Sequence, residues 1–336
     1  MNLLVTGGCG FIGSNFIRYI LTHYPEYNIV NLDALTYAGN PENLKEFENS
    51  PRYQFICGRI EEPGVVKKAM KGADVVIHFA AESHVDRSIL NAAPFIITNV
   101  VGTQVLLDAA LNYGIKRFIH ISTDEVYGAL GEEGLFTENT PLAPRSPYAA
   151  SKAAADLLVQ AYYQTHKLPV IIVRPSNNYG PYQYPEKLIP LAITNIIEGK
   201  KVPVYAQGQN VRDWLYVEDN CRAILNVLTA GREGEIYNIG GLCQKRNIEV
   251  VNTILKVMGR GEDWIEFVPD RPGHDFRYAL DNSKIEKELG WRPSVSFEEG
   301  IRMTVRWYEE NQNWWQPLKA KLKKESKGFW TEGFKK

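Results

Sequence analysis

The chain has 336 residues, with 38 Lys and Arg against 39 Asp and Glu, which gives a net charge of −1. A chain of this length predicts roughly two domains and buries enough surface to fold without disulfides or structural metals. The balanced charge argues against a nucleic-acid partner, which requires a basic surface. The four cysteines form no C-x-x-C pair, the N-terminus has no basic leader, and no apolar run approaches the length of a membrane span. These features predict a cytoplasmic protein that binds no membrane.

Short apolar runs alternate with helical patterns through the first half of the chain, which predicts an α/β fold with a doubly wound parallel sheet of the Rossmann type. The predicted strands are residues 2–6, 28–33, 75–79, 118–122 and 170–173. The predicted helices are residues 12–22, 43–49, 64–70, 96–113 and 146–166.

The composition changes after residue 175 toward Pro, Tyr, Trp and Gly. Residues 1–175 are therefore predicted to form the Rossmann domain. Residues 176–336 are predicted to form a smaller α/β C-terminal substrate lobe, with some segments returning to the first domain. The lysine-rich tail, residues 319–336, is typical of a solvated surface helix or a frayed end rather than a binding arm.

A glycine-rich loop follows the first predicted strand and opens the first predicted helix. It contains Gly7 and the pattern Gly8-x-Gly10-x-x-Gly13, which allows the backbone to approach a dinucleotide pyrophosphate at the helix N-terminus. Asp33 lies 20 residues after Gly13, at the end of the second strand, where a carboxylate binds ribose hydroxyls and repels a 2′-phosphate. The pattern predicts NAD rather than NADP; the alternative is an ordinary strand-to-helix turn.

Tyr148 and Lys152 are four residues apart in a predicted helix, so their side chains share one face. A nearby ammonium group lowers the pKa of a phenol, which would make Tyr148 a base for a sugar hydroxyl. By itself such a pair is more often an exposed amphipathic pair. Its coincidence with the glycine loop favours a catalytic interpretation.

Thr123, Asp124 and Glu125 stand at the carboxyl end of the strand that precedes this helix, where doubly wound sheets bind ligands. Adjacent residues of a regular strand point to opposite faces, so both acids serve one site only if the strand ends at about Thr123. Two neighbouring carboxyl groups raise one another's pKa, which suits an acid and base pair. An exposed acidic turn is the alternative.

Together these motifs resemble those of the extended short-chain dehydrogenases/reductases, and within them the family of dTDP-glucose 4,6-dehydratases, over essentially the whole chain. The motifs that carry the resemblance are residues 6–13, 80–88, 122–128, 148–152, 176–190 (SNNYGPYQYPEKLIP), 212–214 and 270–275 (DRPGHD). The glycine loop and the Tyr/Lys pair are common to the superfamily, whereas the Thr-Asp-Glu triplet and the last stretches are more specific.

The resemblance implies a mechanism in which Tyr148 takes the proton of the glucose 4-hydroxyl as hydride passes to NAD, with Thr123 bonded to that oxygen and Lys152 holding the ribose. Glu125 would then remove the C5 proton, Asp124 would protonate the C6 hydroxyl, and the stored hydride would return to C6. The product would be dTDP-4-keto-6-deoxyglucose, a precursor of deoxysugars such as rhamnose.

The resemblance and the glycine loop together place the NAD contacts at Gly7, Gly10, Phe11, Ile12, Gly13, Asp33, Ala34, Leu35, Thr36, Arg59, Ile60, Ala80, Ala81, Thr98, Tyr148, Lys152 and Asn178. The implied nucleotide-sugar contacts are Ser83, His84, Asp86, Thr123, Asn177, Lys187, Leu188, Pro203, Tyr205, Arg212, Asn247, Arg271 and His274. Arginines such as Arg212 and Arg271 present planar forks that suit a diphosphate. Ser83, His84 and Asp86 crowd one short loop and lack a nucleophile elbow, so a hydrolase triad is not predicted.

Arg59 departs from the family pattern, which has an Asp that contacts the adenine amine. Arg59 either stacks on the adenine or is solvated. The six histidines show no ligand spacing, so no metal is predicted. In the resembling family the helices at 96–113 and 146–166 pair across a two-fold axis, which implies a homodimer.

Other functions remain open on this fold. A UDP-sugar 4-epimerase or a UDP-glucuronate decarboxylase uses the same glycine loop, Tyr and Lys, but needs no pair of acids to expel a C6 hydroxyl. A UDP-sugar 4,6-dehydratase acts on a substrate with a different nucleobase. No residue of the sequence distinguishes thymine from uracil, which differ by one methyl group. A non-enzymatic NAD sensor would have no use for Tyr148 and Lys152.

Overall fold

The computed structural model describes residues 1–270 and 274–325. Its strands, numbered along the chain, are β1 (Asn2–Thr6), β2 (Asn28–Asp33), β3 (Tyr53–Cys57), β4 (Val75–His78), β5 (Arg117–Ile121), β6 (Val170–Pro175), β7 (Asn177–Tyr179), β8 (Val202–Tyr205), β9 (Val211–Tyr216), β10 (Ile236–Ile239), β11 (Gln244–Arg246) and β12 (Ile265–Val268). Seven of them form a parallel sheet in the order β10-β6-β5-β4-β1-β2-β3. The predicted α/β doubly wound fold is confirmed.

The α-helices are α1 (Phe11–His23), α2 (Pro63–Met70), α3 (Val85–Leu90), α4 (Ala93–Phe95), α5 (Thr103–Tyr113), α6 (Pro147–His166), α7 (Leu188–Ile197), α8 (Val217–Ala230), α9 (Asn247–Val257), α10 (Ser283–Leu289), α11 (Phe297–Glu310) and α12 (Gln312–Glu325). The π-helical segment Ile96–Gly102 joins α4 to α5. Short 3₁₀ helices span Pro41–Phe47, Asp124–Tyr127 and Glu262–Trp264. The described part of the lysine-rich tail continues α12, and residues 326–336 lie outside the described residues.

The central sheet is covered on both faces, as is typical of a parallel sheet. Successive side chains of each strand therefore enter two different cores. In β1, Leu3 and Val5 belong to the core under α1 and α8, whereas Leu4 belongs to the core under α2, α5 and α6. Because the seven strands of the central sheet are parallel, their carboxyl ends meet at one edge of the sheet. This edge carries the glycine loop after β1, Asp33 after β2 and the acidic turn after β5.

Two strands of this sheet, β3 and β10, were not predicted from the sequence. β3 is an edge strand whose residues are largely exposed, so it has no continuous apolar run. β10 lies far along the chain but pairs with β6, which places a segment of the second half in the first sheet. The helix predicted at 43–49 is instead the 3₁₀ helix Pro41–Phe47, which is interrupted at Leu44 by a non-helical φ of −129°.

The second half builds a smaller core between α7, α9, α11 and two small sheets, of order β11-β9-β7 and β12-β8. Tyr179 and Trp315, each at most 1% exposed, lie in this core. Strand β7 follows directly from the carboxyl end of β6 in the main sheet, and β9 pairs with β7. This smaller core is therefore connected to the main sheet at its ligand-binding edge.

The stretch Ala93–Tyr113 has the length and apolar composition of a membrane-crossing helix, with a mean hydropathy of 1.4 over a window that is 39% buried. The expectation that no apolar run approaches that length was wrong on this measure. The apolar excess comes partly from Ile96, Ile97 and Val101, which are about half exposed on the outer face of the helix. Helices of this kind also pack inside soluble proteins, so the composition alone is weak evidence for a membrane.

Candidate active site

The glycine loop forms a backbone cradle that leaves no room for side chains. Gly7 has a φ of +71°, and a Cβ atom there would lie 2.6 Å from the amide nitrogen of Ala80. A Cβ on Gly13 would lie 2.4 Å from the carbonyl oxygen of Gly7. Gly10 is the N-cap of α1, so the positive end of that helix faces the cradle. This arrangement fits the pyrophosphate of NAD.

Asp33 closes the side of the cradle and is only 7% exposed. Its carboxylate accepts hydrogen bonds from the backbone N–H groups of Cys9 and Leu35, each 2.8 Å long. Burial raises the pKa of Asp33, and these two N–H groups oppose the shift. A carboxylate has about four lone-pair positions, so acceptor capacity remains for the ribose hydroxyls.

One cavity extends from this cradle to the carboxyl ends of β5 and β6. It is lined by every predicted NAD-contact residue except Leu35, and by all five predicted catalytic residues. Leu35 does not line the cavity because its backbone, at a φ of +49°, turns its N–H toward Asp33. Arg59 lines the rim but is half exposed and pairs with Glu61 at 3.1 Å, which favours a solvated side chain.

Strand β5 ends at Ile121, two residues before the acidic pair. Thr123 caps the 3₁₀ helix Asp124–Tyr127, and its hydroxyl accepts the N–H of Glu125 at 3.2 Å. The regular alternation of the strand is therefore broken before the acids. Asp124 and Glu125 both line the same cavity, which is the condition that the sequence reasoning required.

Asp124 is the more deeply buried of the two acids, at 3% exposure. Burial, and after it the charge of Glu125, raise the pKa of Asp124 well above its usual range, while Arg212 opposes the shift. Its Oδ1 accepts a bond of 3.3 Å from the Thr123 hydroxyl, and its Oδ2 has no partner among the described residues. A carboxyl group in this setting holds a proton that it can donate.

Tyr148 stands in the first turn of α6, where Ser146 caps the helix. Burial, and after it the charge of Glu125, raise the pKa of Tyr148 well above its usual range, and a hydrogen bond with Thr123 opposes the shift. This direction is opposite to the effect expected from Lys152. Burial and Glu125 therefore favour the protonated phenol in this structure.

Lys152 lies one turn further along α6 and is 3% exposed. Its ammonium group donates to the carbonyl oxygen of Ile121 at 2.7 Å. Burial lowers the pKa of Lys152 to about 8, and Asp156 opposes the shift. Asp156 is itself fully buried and accepts from the Arg174 side chain at 2.9 Å. The bond to the end of β5 positions the Lys152 ammonium group, and the charge of Asp156 favours its protonated form.

The predicted nucleotide-sugar residues are only partly brought together. Ser83, Thr123, Asn177 and Lys187 line the cavity. The other described members lie outside its lining: His84, Asp86, Leu188, Pro203, Tyr205, Arg212, Asn247 and His274. Arg271 lies outside the described residues.

Their positions follow from the elements that carry them. His84 is buried because it caps α3, and its Nε2 lies 3.4 Å from Glu186. Asp86 is also buried, at 2% exposure, in the first turn of α3. Arg212 on β9 donates to the carbonyl oxygen of Asp275 at 3.0 Å, yet its charge reaches Asp124. Of the remaining members, Leu188 lies in α7, Pro203 and Tyr205 in β8, and Asn247 in α9.

Sequence reasoning missed several residues of the cavity wall, namely Tyr37, Glu82, Gln183, Tyr184 and Glu186. Glu186 is 5% exposed, and burial raises its pKa. The oxygens Gln183 Oε1 and Glu186 Oε1 are buried without a hydrogen-bond partner among the described residues. The sequence feature that could have indicated part of this wall is the charged pair Glu186-Lys187, inside a loop rich in Pro, Tyr and Gly.

Comparisons with known proteins agree with this geometry. The family model described as GDP-mannose 4,6 dehydratase matches residues 4–304. A dTDP-glucose 4,6-dehydratase of Streptomyces niveus is 52% identical over 324 residues, which cover 95% of this chain and 96% of the relative. The low-salt glycan biosynthesis protein Agl12 of Haloferax volcanii is 54% identical over 308 residues, which cover 92% and 98% of the two chains.

A solved structure shares the whole fold. The crystal structure of DesIV, a dTDP-glucose 4,6-dehydratase from Streptomyces venezuelae with NAD bound, superposes with a TM-score of 0.92 at 52% identity. The match covers 95% of this chain and 100% of that chain. The chain therefore belongs to the GDP-mannose 4,6 dehydratase family, among relatives that include dTDP-glucose 4,6-dehydratases.

Proposed function

We propose that this protein is an NAD-dependent hydro-lyase that converts dTDP-glucose to dTDP-4-keto-6-deoxyglucose. The observation that carries the proposal is the pair Asp124 and Glu125 in the same cavity as Tyr148, beside a cradle that fits NAD. Oxidation and reduction at one sugar carbon need only the tyrosine and the cofactor. A dehydratase also needs an acid and a base for the elimination, and this pair offers both.

The cofactor is held by the glycine loop, Asp33 and Lys152. Bound NAD would supply a hydride acceptor for oxidation at C4 and, once reduced, a hydride donor for C6. Tyr148 then acts as the base for the 4-hydroxyl, and Thr123 bonds to the same oxygen. Burial and the charge of Glu125 raise the pKa of Tyr148, and the positive charge of an oxidised nicotinamide would act in the opposite direction.

Glu125 and Asp124 divide the elimination between them. Glu125 is partly accessible to the cavity and removes the C5 proton, which the C4 ketone has made acidic. Asp124 is buried and protonated, so it donates to the departing C6 hydroxyl. The two environments differ in burial, and this difference supports Glu125 as the base and Asp124 as the acid.

Asp124→Asn is expected to slow elimination about 10²- to 10⁴-fold for dTDP-glucose, because an amide cannot deliver the proton to the leaving hydroxyl. The loss should be much smaller for the 6-fluoro analogue, whose leaving group needs no proton. The rates of product formation from both substrates, measured by mass spectrometry, check this expectation. Equal slowing of both would assign the acid elsewhere.

The choice of nucleotide sugar can be tested by competition. Equimolar dTDP-glucose, UDP-glucose and GDP-mannose are incubated with the protein, and loss of water from each is followed by mass spectrometry. We expect dTDP-glucose to react fastest, since the relatives described above include dTDP-glucose 4,6-dehydratases. Preferential dehydration of UDP-glucose or GDP-mannose would reassign the substrate, and isomerisation without mass loss would point to an epimerase.

The outer face of the helical stretch Ala93–Tyr113 supports the further proposal of a homodimer. Ile96, Ile97 and Val101 are 46%, 48% and 45% exposed, and Leu157 on the adjacent α6 is 57% exposed. Two copies that pair these helices would cover this apolar surface. We expect a dimer by light scattering at micromolar concentration and a monomer for Leu157→Glu; a monomeric wild-type protein would contradict the proposal.

We place the reaction in the cytoplasm, in the synthesis of deoxysugars such as rhamnose. The balanced charge and scattered cysteines of the chain support a reducing compartment.

A further inference from the structure

Asn43 is a buried polar residue that the reaction does not use. It is 1% exposed, although it lies in a short 3₁₀ helix on the surface of the first domain. Its side-chain N–H donates to the carbonyl oxygen of Cys9 at 2.9 Å. Cys9 is the residue between Gly8 and Gly10, so Asn43 is bonded to the middle of the glycine loop.

The other side of the Asn43 amide is bonded to the far end of the chain. The indole N–H of Trp314, in α12, donates to Asn43 Oδ1 at 2.8 Å. The guanidinium of Arg18 in α1 also donates to the Asn43 carbonyl oxygen. Asn43 thus joins the cofactor loop to the C-terminal helix across 271 positions of the sequence.

The same contacts fix the ribose side of the cavity. The carbonyl oxygen of Cys9 also accepts the N–H of Asn40 at 3.0 Å, and the N–H of Cys9 donates to Asp33 at 2.8 Å. Residues 34–39, which include three further lining residues after Thr36, run between these two anchor points. The Cys9 contacts therefore hold both the glycine loop and this segment of the cavity wall in place.

Trp314 also packs on aromatic rings close to another part of the cavity wall. Its ring lies 5.6 Å from that of Tyr182 and 5.0 Å from that of Trp307. Tyr182 immediately precedes Gln183 and Tyr184, which line the cavity. One residue of α12 is therefore bonded to Asn43 and packed beside a second segment that leads into the cavity wall.

We propose that Trp314 and Asn43 form a clasp that slows the release of NAD, so that the cofactor stays bound from one turnover to the next. Both are positioning residues, because they act through the Cys9 loop and touch neither the reacting atoms nor the sugar. A dehydratase that regenerates its oxidised cofactor gains from such retention, and in this respect the inference rests on the proposed function.

The test uses Trp314→Phe in the full-length protein loaded with NAD. Phenylalanine keeps an aromatic ring but loses the N–H, which leaves Asn43 Oδ1 buried without its donor. Exchange of bound NAD for isotopically labelled NAD is followed by native mass spectrometry. We expect exchange about tenfold faster than in the wild-type protein. Asn43→Ala should also speed exchange, since it removes the bond from Trp314 and the bond to Cys9. The double variant should be no faster than Asn43→Ala, because the Trp314 indole acts on the loop only through Asn43.

Trp307→Phe is the matched control. Trp307 packs on the same Tyr182 ring, 4.5 Å away, but is not the donor to Asn43. Unchanged exchange in Trp307→Phe, with faster exchange in Trp314→Phe, supports the clasp. Wild-type exchange in Trp314→Phe, or equal acceleration in both variants, would overturn it. If the wild-type protein retains NAD without dehydrating any sugar, the proposed function fails while the exchange rates still judge the clasp.

Discussion

Glu125→Gln is expected to stop the reaction after oxidation at C4 and to leave bound NADH on the protein. The amide cannot take the C5 proton, so kcat should fall about 10²- to 10⁴-fold. Oxidation itself should persist, because the charge of Glu125 is the largest electrostatic contribution that raises the pKa of Tyr148 and its loss favours the tyrosinate. Absorbance of NADH after mixing with dTDP-glucose checks this outcome.

Glu125→Asp is the conservative control for that variant. It keeps a carboxylate one methylene shorter, so turnover should recover in part and NADH should not accumulate to the same level. Absence of any NADH signal from Glu125→Gln, with the protein folded and loaded with NAD, would contradict the assignment of Glu125 as the C5 base.

Tyr148→Phe is expected to abolish both product and NADH, because the first proton transfer has no acceptor. The loss in kcat should again be about 10²- to 10⁴-fold. The fold should survive, since the ring remains packed against Phe95, 6.4 Å away between ring centroids. Stopped-flow absorbance on the same substrate then separates the two variants, one with NADH and one without.

Tyr127→Phe is the matched control for this loss. Tyr127 is also buried and lies in the 3₁₀ helix of the acidic pair, but its hydroxyl donates to Asn238 at 2.8 Å. Its removal should cost some stability and leave the chemistry in place. Rapid NADH formation by Tyr148→Phe would contradict the role of Tyr148 as the base.

The sequence could predict that the residues of the cofactor side line one cavity, because the physics of that region is local. A glycine turn, a helix N-terminus and a carboxylate after the second strand are all within 33 residues, and the periodicity of the strands sets their common edge. The same locality explains why Asp124 and Glu125 could be paired with Tyr148. Asp124 and Glu125 follow β5, and Tyr148 lies at the start of α6, which is the next α-helix along the chain and packs on the sheet.

The features that the sequence could not predict depend on distant parts of the chain. Burial of Glu186 follows from packing of a loop between two lobes, and pairing of β10 with β6 is a long-range choice. The direction of the Tyr148 pKa shift depends on burial and on Glu125, which outweigh the helical neighbour Lys152. The contact between Asn43 and Trp314 has no local signal, because each residue alone is an ordinary polar or aromatic position.

The dehydratase activity is tested most directly by mass spectrometry of dTDP-glucose incubated with the purified protein in deuterated water, with no NAD added. We predict loss of one water and gain of deuterium at C5, because the retained cofactor oxidises C4 and Glu125 exchanges its proton with solvent. An unchanged sugar mass, or loss of water without deuterium at C5, would contradict the account.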